Sequence, residues 1–494
     1  MNERITDEIQ KNQNTLTGIA GLDEILNGGL TGGAIHLIEG ESGTGKTTLA
    51  LQFSLEGMRR KETVLYLALS ETHQDLKAVA RSHGWEIDGL HVLEAASEEV
   101  QASSMFNTAE VELGQAIQRL RDAVDRIHPH RLVLDSLSEF RLLGQSSLRY
   151  RRELLALKRF LVSRGCTVLL LDHTGTQDSQ RSLVDGVILL EASAPDYGTD
   201  RRRLRVLKLR GKTYAGGFHD YKILAGGLQV FPRLIAAEHR GGHTIEVLHS
   251  GSMELDALLG GGINTGSSTL LIGPAGSGKS TVAMLFVASA IARGETALFF
   301  SFDERPEHIL SRARGLNLDL QTGLENRRLL LQQVDPAELS PGQFAHIIRE
   351  QVEKSRVSIV VIDSLNGYLH AMPNERFLVL QLHELLSYLG QEGVSTFIVV
   401  GLRGLGSAWE APIDTSYLTD NVLMFRFLET RGEIRKTIAM LKHRSNDHER
   451  TMRELHIGPG TVRIGKPIRQ FQGILHGPRA FPDEFRREQD GGPS

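Results

Sequence analysis

Gly40-Glu41-Ser42-Gly43-Thr44-Gly45-Lys46-Thr47 decides the reading of this chain, because its pattern returns 233 positions later as Gly273-Pro274-Ala275-Gly276-Ser277-Gly278-Lys279-Ser280. Both stretches satisfy G-x-x-x-x-G-K-[ST], the composition of a loop that cradles phosphate. Glycines let consecutive backbone N–H groups turn inward around an anion, where side chains would block its approach. The helix expected after each loop, opening through Thr48 or Thr281, adds the positive end of its dipole. Lys46 and Lys279 are placed to reach β- and γ-phosphates, and Thr47 and Ser280 to ligate Mg²⁺. An ordinary glycine turn explains neither lysine. The motifs therefore imply ATP with Mg²⁺ at two sites.

Working outward, residues 17–30 (TGIAGLDEILNGGL) are echoed by residues 250–263 (SGSMELDALLGGGI), and Glu71 by Glu304 at the same spacing as the two lysines. Asp135 pairs with Asp363, and Lys208 with Lys442, in the same order. Shared landmarks at nearly constant spacing indicate a duplicated domain. In the first copy AIHLIEG, TVLYLAL, RLVLDS and CTVLLLDH read as apolar strands. Between them KTTLALQFSLEGMRR, ETHQDLKAVARSHG and RRELLALKRFLVSRG read as helices. That alternation predicts an α/β fold in each copy: a mostly parallel sheet buried between helices. The later runs VILLE, RRLRVLKLRG and YKILAGGLQVF read as an antiparallel extension. The expected boundaries are a disordered N-terminus over 1–14, a first domain over 15–235 and a linker over 236–247. A second domain follows over 248–463, then a C-terminal segment and tail over 464–494.

Hydrolysis at such a loop needs an acid near the metal and a base for water. Asp135 closes RLVLD and Asp363 closes IVVID, each followed by Ser-Leu, so both are expected to hold Mg²⁺ through water. Glu71 and Glu304 lie just past the strand that follows each loop's helix, at the carboxyl end of a parallel sheet where ligands bind. They are the expected bases, with Asp303 beside Glu304, and each could also cap the following helix.

The 494 residues carry a net charge of −4, so nothing global calls for nucleic acid or a membrane surface. The single cysteine, Cys166, sits in an apolar run and reads as a buried small hydrophobe. With no signal peptide or spanning segment recognised, the expected compartment is the cytoplasm.

These strings, with RVLKLRGKTY, VVIDSLNGY, FLETRGEIRKTIAMLKHR and GKPIRQFQGILHG, resemble the KaiC family of RecA-superfamily, circadian-clock-like ATPases over nearly the whole chain. The resemblance implies two tandem RecA-like P-loop domains in an ATP-dependent homo-hexamer, a two-tiered ring with ATP between neighbouring subunits. It implies a signalling partner protein, and contacts across the subunit boundary from Lys208, Leu209 and Arg210 and from Lys442, His443 and Arg444. It also implies an ATP contact from Ser82, near the adenine.

Three departures stand out. The adjacent acids that family members often carry survive as Asp303-Glu304 but become Ser70-Glu71 in the first copy. The stretch matching the family's phosphorylated segment keeps Ser416 and follows it with Tyr417, with Thr415 and Thr419 nearby, so Ser416 is the expected phosphoacceptor for a serine/threonine autokinase. KLRG of the first copy becomes Lys442-His443-Arg444-Ser445 in the second. Two alternatives stay open: a RecA-, RadA- or DnaB-like DNA-dependent ATPase using Arg141, Arg149, Arg151 and Arg152, and a nucleotide-gated scaffold without turnover.

Overall fold

Each Gly-rich loop leaves the carboxyl end of a buried central strand, β1 (Ile35–Gly40) in the first half of the chain and β10 (Ser268–Gly273) in the second. The computed structural model describes residues 14–69, 71–94, 109–143, 147–174, 178–195, 198–239, 241–370, 375–402, 418–430, 432–445 and 447–468. Contacts divide the chain into two units, Met1–Arg233 and Leu234–Ser494.

In the first unit β1 runs into α1 (Lys46–Arg59), then β2 (Val64–Ala68), α2 (His73–Ser82), β3 (His91–Glu94) and α3 (Ala109–Ile127). The chain continues through β4 (Arg131–Asp135), α4 (Ser147–Ser163), β5 (Thr167–Asp172), α5 (Asp178–Arg181) and β6 (Gly186–Ser193). It ends in β7 (Arg201–Leu209), β8 (His219–Leu224) and β9 (Gly227–Phe231). The sheet order is β9-β8-β7-β6-β1-β5-β4-β2-β3.

The second unit has α6 (Lys279–Ala292), β11 (Thr296–Ser301), α7 (Pro306–Gly315), β12 (Leu329–Gln333), α8 (Pro341–Lys354) and β13 (Val357–Asp363). It closes with α9 (Glu375–Gln391), β14 (Ser395–Gly401), β15 (Asn421–Thr430), β16 (Glu433–His443), β17 (Arg453–Gly458) and β18 (Thr461–Pro467). Its order, β12-β11-β13-β14-β10-β15-β16-β17-β18, is that of the first sheet read from the other edge.

One strand departs from the expected extension. VILLE lies in β6, which pairs parallel with β1, Leu37 opposite Val187 and Gly40 opposite Leu190. Only from β7 onward does the sheet turn antiparallel. The physical reason is burial. β6 flanks the central strand and its first five residues are buried, so it belongs with the apolar parallel strands.

Leu49, Phe53, Leu76 and Ile38 fill one face of the first sheet under α1 and α2. Leu37, Leu120, Leu134 and Leu157 fill the other under α3 and α4. Burying one such leucine contributes about 1.5–3 kcal/mol, so a charge at Leu37 would open the strand that carries the loop. Arg131 is the exception in this core. It is buried over the Phe53 ring, donates to the Leu16 and Phe53 carbonyls and ion-pairs with Glu62, contacts that offset the cost of a buried charge at the start of β4.

In the second unit Leu234 and Ala236 lie in the core beside α9, and the Ala236 N–H donates to Glu384 at 2.9 Å. That contact ties the start of the 236–247 stretch to this unit.

Candidate nucleotide sites

Gly45 and Gly278 sit immediately before α1 and α6 with φ of +90° and +107°. A Cβ on Gly45 would meet the Ile223 Cδ1 at 2.7 Å, and one on Gly278 would meet Ile457 Cδ1 at the same distance. The left-handed turn and the close approach of β8 or β17 together require glycine here. Within the loops the Thr44 hydroxyl donates to the Glu41 carbonyl and the Ser277 hydroxyl to the Pro274 carbonyl, each at 2.8 Å. Tyr221 reaches from β8 to donate to the Thr44 carbonyl at 2.7 Å. Ser42, Gly43, Ala275 and Gly276 lie exposed on the loop rims, whereas Thr48 and Thr281 are buried.

The two lysines fold onto their own loops. Lys46 donates to the Gly40 and Glu41 carbonyls at 2.7 and 2.9 Å, and Lys279 to the Pro274 carbonyl at 2.7 Å. Burial pushes Lys279 down to about 8, opposed by Asp363. Burial lowers Lys46 as well, opposed by Asp135, Glu41 and Asp172.

The strand-terminal acids meet the loop hydroxyls. Thr47 donates to Asp135 Oδ2 at 3.1 Å, and Ser280 hydrogen-bonds Asp363. Burial raises the pKa of both carboxyls. A hydroxyl, a carboxyl and room for phosphate oxygens form the donor set that a small hard cation takes with a nucleotide. Among the described residues no group of three His, Cys, Asp or Glu side chains could hold a metal without it.

The sites are not copies. Tyr66 on β2 donates to Asp135 Oδ2 at 2.7 Å. Phe299 takes that register position on β11, two residues before the partner of Asp363. Glu71 keeps Oε2 buried with no hydrogen-bond partner among the described residues; burial, then Asp135 and Asp75, raise its pKa. Glu304 is ion-paired with Arg312 at 2.8 Å, while Asp303 accepts a 2.6 Å hydrogen bond from Ser364. In the first site Ser136 shares a 2.5 Å hydrogen bond with Ser138 instead.

The family model described as ATPase: KaiC matches residues 15–235 and again 248–469. The chain belongs to the KaiC family of ATPases. It is 28% identical to the circadian clock protein KaiC3 of Synechocystis sp., over 97% of this chain and 96% of that protein. Circadian clock oscillator proteins KaiC of Picosynechococcus sp. and Synechococcus elongatus are 29% and 27% identical, over 94% and 93% of this chain and 92% and 91% of their own lengths.

The remaining residues expected from the KaiC resemblance lie at the ends of β7 and β16. Lys208 donates to the Arg181 and Val184 carbonyls at 2.7 and 2.6 Å, and Arg210 lies 3.6 Å from Asp185. Lys442 donates to the Thr419 carbonyl at 2.5 Å, and Arg444 lies 3.0 Å from Asp420. Leu209 is buried in the core of its own unit, and His443 is partly buried. Ser82 ends α2, exposed, its hydroxyl on the Val79 carbonyl. Ser416, Thr415, Tyr417 and Ser70 lie outside the described residues, as do most of the N-terminal and C-terminal segments. Among the described residues no helix is long and apolar enough to cross a membrane.

Sequence reasoning missed Tyr66, Tyr221, Ser364 and Arg312. Two differences left a signal, Tyr66 against Phe299 and Val79 against Arg312, both visible when the duplicated stretches are aligned.

Proposed function

We propose that the chain is an ATP-hydrolysing KaiC-like switch that assembles with copies of itself as a hexamer and binds ATP with Mg²⁺ at two unlike sites. The observation that carries this is the pair of lysine-bearing loops, each facing a hydroxyl–carboxyl pair at the carboxyl end of a parallel sheet. Thr47 with Asp135, and Ser280 with Asp363, would hold the Mg²⁺, which supplies charge neutralisation between the phosphates. Lys46 and Lys279 would leave their loop carbonyls for phosphate oxygens.

A carboxylate beyond β2 or β11 takes a proton from water as the water oxygen bonds to the γ-phosphorus. The bond to the bridging oxygen breaks, and ADP leaves with its electron pair. Arg210 and Arg444 would swing from Asp185 and Asp420 to the nucleotide of an adjacent subunit, which makes turnover depend on assembly.

The likeness to circadian clock proteins suggests a signalling output read by a partner protein, and Ser416 as acceptor of a γ-phosphoryl group from the second site. Intact-mass and native-mass measurements after incubation with MgATP test this together. ATP-dependent hexamers, released phosphate and a phosphoryl adduct lost in S416A are expected. Assembly unaffected by nucleotide, with no phosphate released, would sink the reading.

A further inference from the structure

Helices α2 and α7 are equivalent: His73–Ser82 and Pro306–Gly315 are both ten residues long and begin 233 positions apart. The position two turns beyond the expected base differs between them. It is Val79 in the first site and Arg312 in the second. Arg312 Nη1 lies 2.8 Å from both carboxylate oxygens of Glu304. Its Nε and Nη2 are buried with no hydrogen-bond partner among the described residues.

The neighbouring acid points elsewhere. Asp303 accepts from Ser364, the residue after Asp363, and its charge acts on the Asp363 carboxyl. So the two adjacent acids are separated in role by their contacts. One is bound to a guanidinium and the other stands beside the metal acid. In the first site no arginine occupies the equivalent place, and Glu71 keeps a buried oxygen without a partner among the described residues. The guanidinium takes a lone pair on each Glu304 oxygen and holds that carboxylate to α7, whereas Asp303 meets a hydroxyl.

We propose that Arg312 is a positioning residue that selects the base of the second site, holding Glu304 in an ion pair so that Asp303 takes the proton from water, whereas the first site, with Val79 in that place, uses Glu71. This rests on the reading of these strand ends as hydrolytic centres. The proton passes from water to Asp303 as the new phosphorus–oxygen bond forms and the bridging bond breaks. It then leaves to solvent, giving ADP, phosphate and a proton.

The test uses the full chain carrying E71Q, so that residual phosphate release reports the second site. D303N should cost about 100-fold and E304Q less than about threefold, the span set by the worth of a general base. Adding R312V to D303N should return at least about tenfold of the loss by freeing Glu304 to act as base. Adding E304Q should remove that gain. R312K, which keeps the positive charge, should not produce it, and R312Q gives a second neutral variant should R312V fold poorly.

The proposal is overturned if E304Q is as damaging as D303N with Arg312 in place, or if neither neutral variant rescues D303N. The hydrolytic reading fails separately if E71Q/D303N/E304Q turns over ATP at the unmodified rate.

Discussion

Tyr66 donates its phenol proton to Asp135 at 2.7 Å, and the residue in the same place on the second sheet, Phe299, has no hydroxyl to give. Burial and the Asp135 charge hold the phenol well above its usual range, so it stays a donor. Asp135 therefore has two side-chain donors at fixed positions, Thr47 and Tyr66. Outer hydrogen bonds of this kind orient an acid toward a metal, and losing one typically weakens metal binding 10- to 100-fold. Y66F should leave the unit folded, since Phe299 fills the same place in the second. It should raise the Mg²⁺ midpoint for first-site hydrolysis about tenfold, read by titration in a D303N/E304Q chain. An unchanged midpoint would make Tyr66 a packing residue only.

G45A should remove nucleotide binding at the first site and destabilise that unit by roughly 1–2 kcal/mol, the cost of a Cβ in the left-handed region. The Ile223 methyl at 2.7 Å must also give way. Thermal unfolding with a fluorescent ATP analogue checks both effects, and full binding with unchanged stability would show that the turn tolerates a side chain.

Much of this was legible beforehand because the chemistry was local in the chain. The glycines, lysines and hydroxyls sit within eight consecutive residues, and Asp135 and Asp363 close apolar runs. Contacts across strands were not legible, because register decides them. Tyr66 meets Asp135 only because β2 and β4 pair with Ala68 opposite Asp135. The Arg312–Glu304 pair spans two helical turns past a strand end, a spacing with no motif to flag it. VILLE looked like the strands after it, and only its place beside β1 made it parallel. The resemblance assigns Lys208 to a subunit boundary, and no motif marks the Arg181 and Val184 carbonyls that hold its ammonium within the chain.

His36 sets an acid limit on the first unit. It is fully buried on β1, bonded through Nε2 to the Thr31 carbonyl, and burial pushes its imidazole down to about 4 from 6.5. The native pKa lies below the unfolded one, so its contribution is intact above pH 6.5 and is lost as the pH falls toward 4. The unfolded chain takes up a proton there that the native state refuses, a loss of about 3 kcal/mol. H36Q should flatten that part of the curve in denaturant melts between pH 7 and 4. A slope identical to that of the unmodified chain would exclude His36 as its source.

Contacts across subunits can be tested by mixing. R210A keeps an intact loop and K46A keeps an intact Arg210. Each alone should lose first-site hydrolysis, and an equal mixture should regain activity at about a quarter of its interfaces if subunits assemble in a ring. No recovery, with mixed oligomers verified by native mass, would confine Arg210 to its contact with Asp185 inside the chain.

That one chain carries two ATP sites is tested most directly by counting bound nucleotide per chain at saturating MgATP. Two for the unmodified protein, one for K46A, one for K279A and none for the double variant are expected. A K46A chain that still binds two, or a K279A chain that binds none, would contradict it.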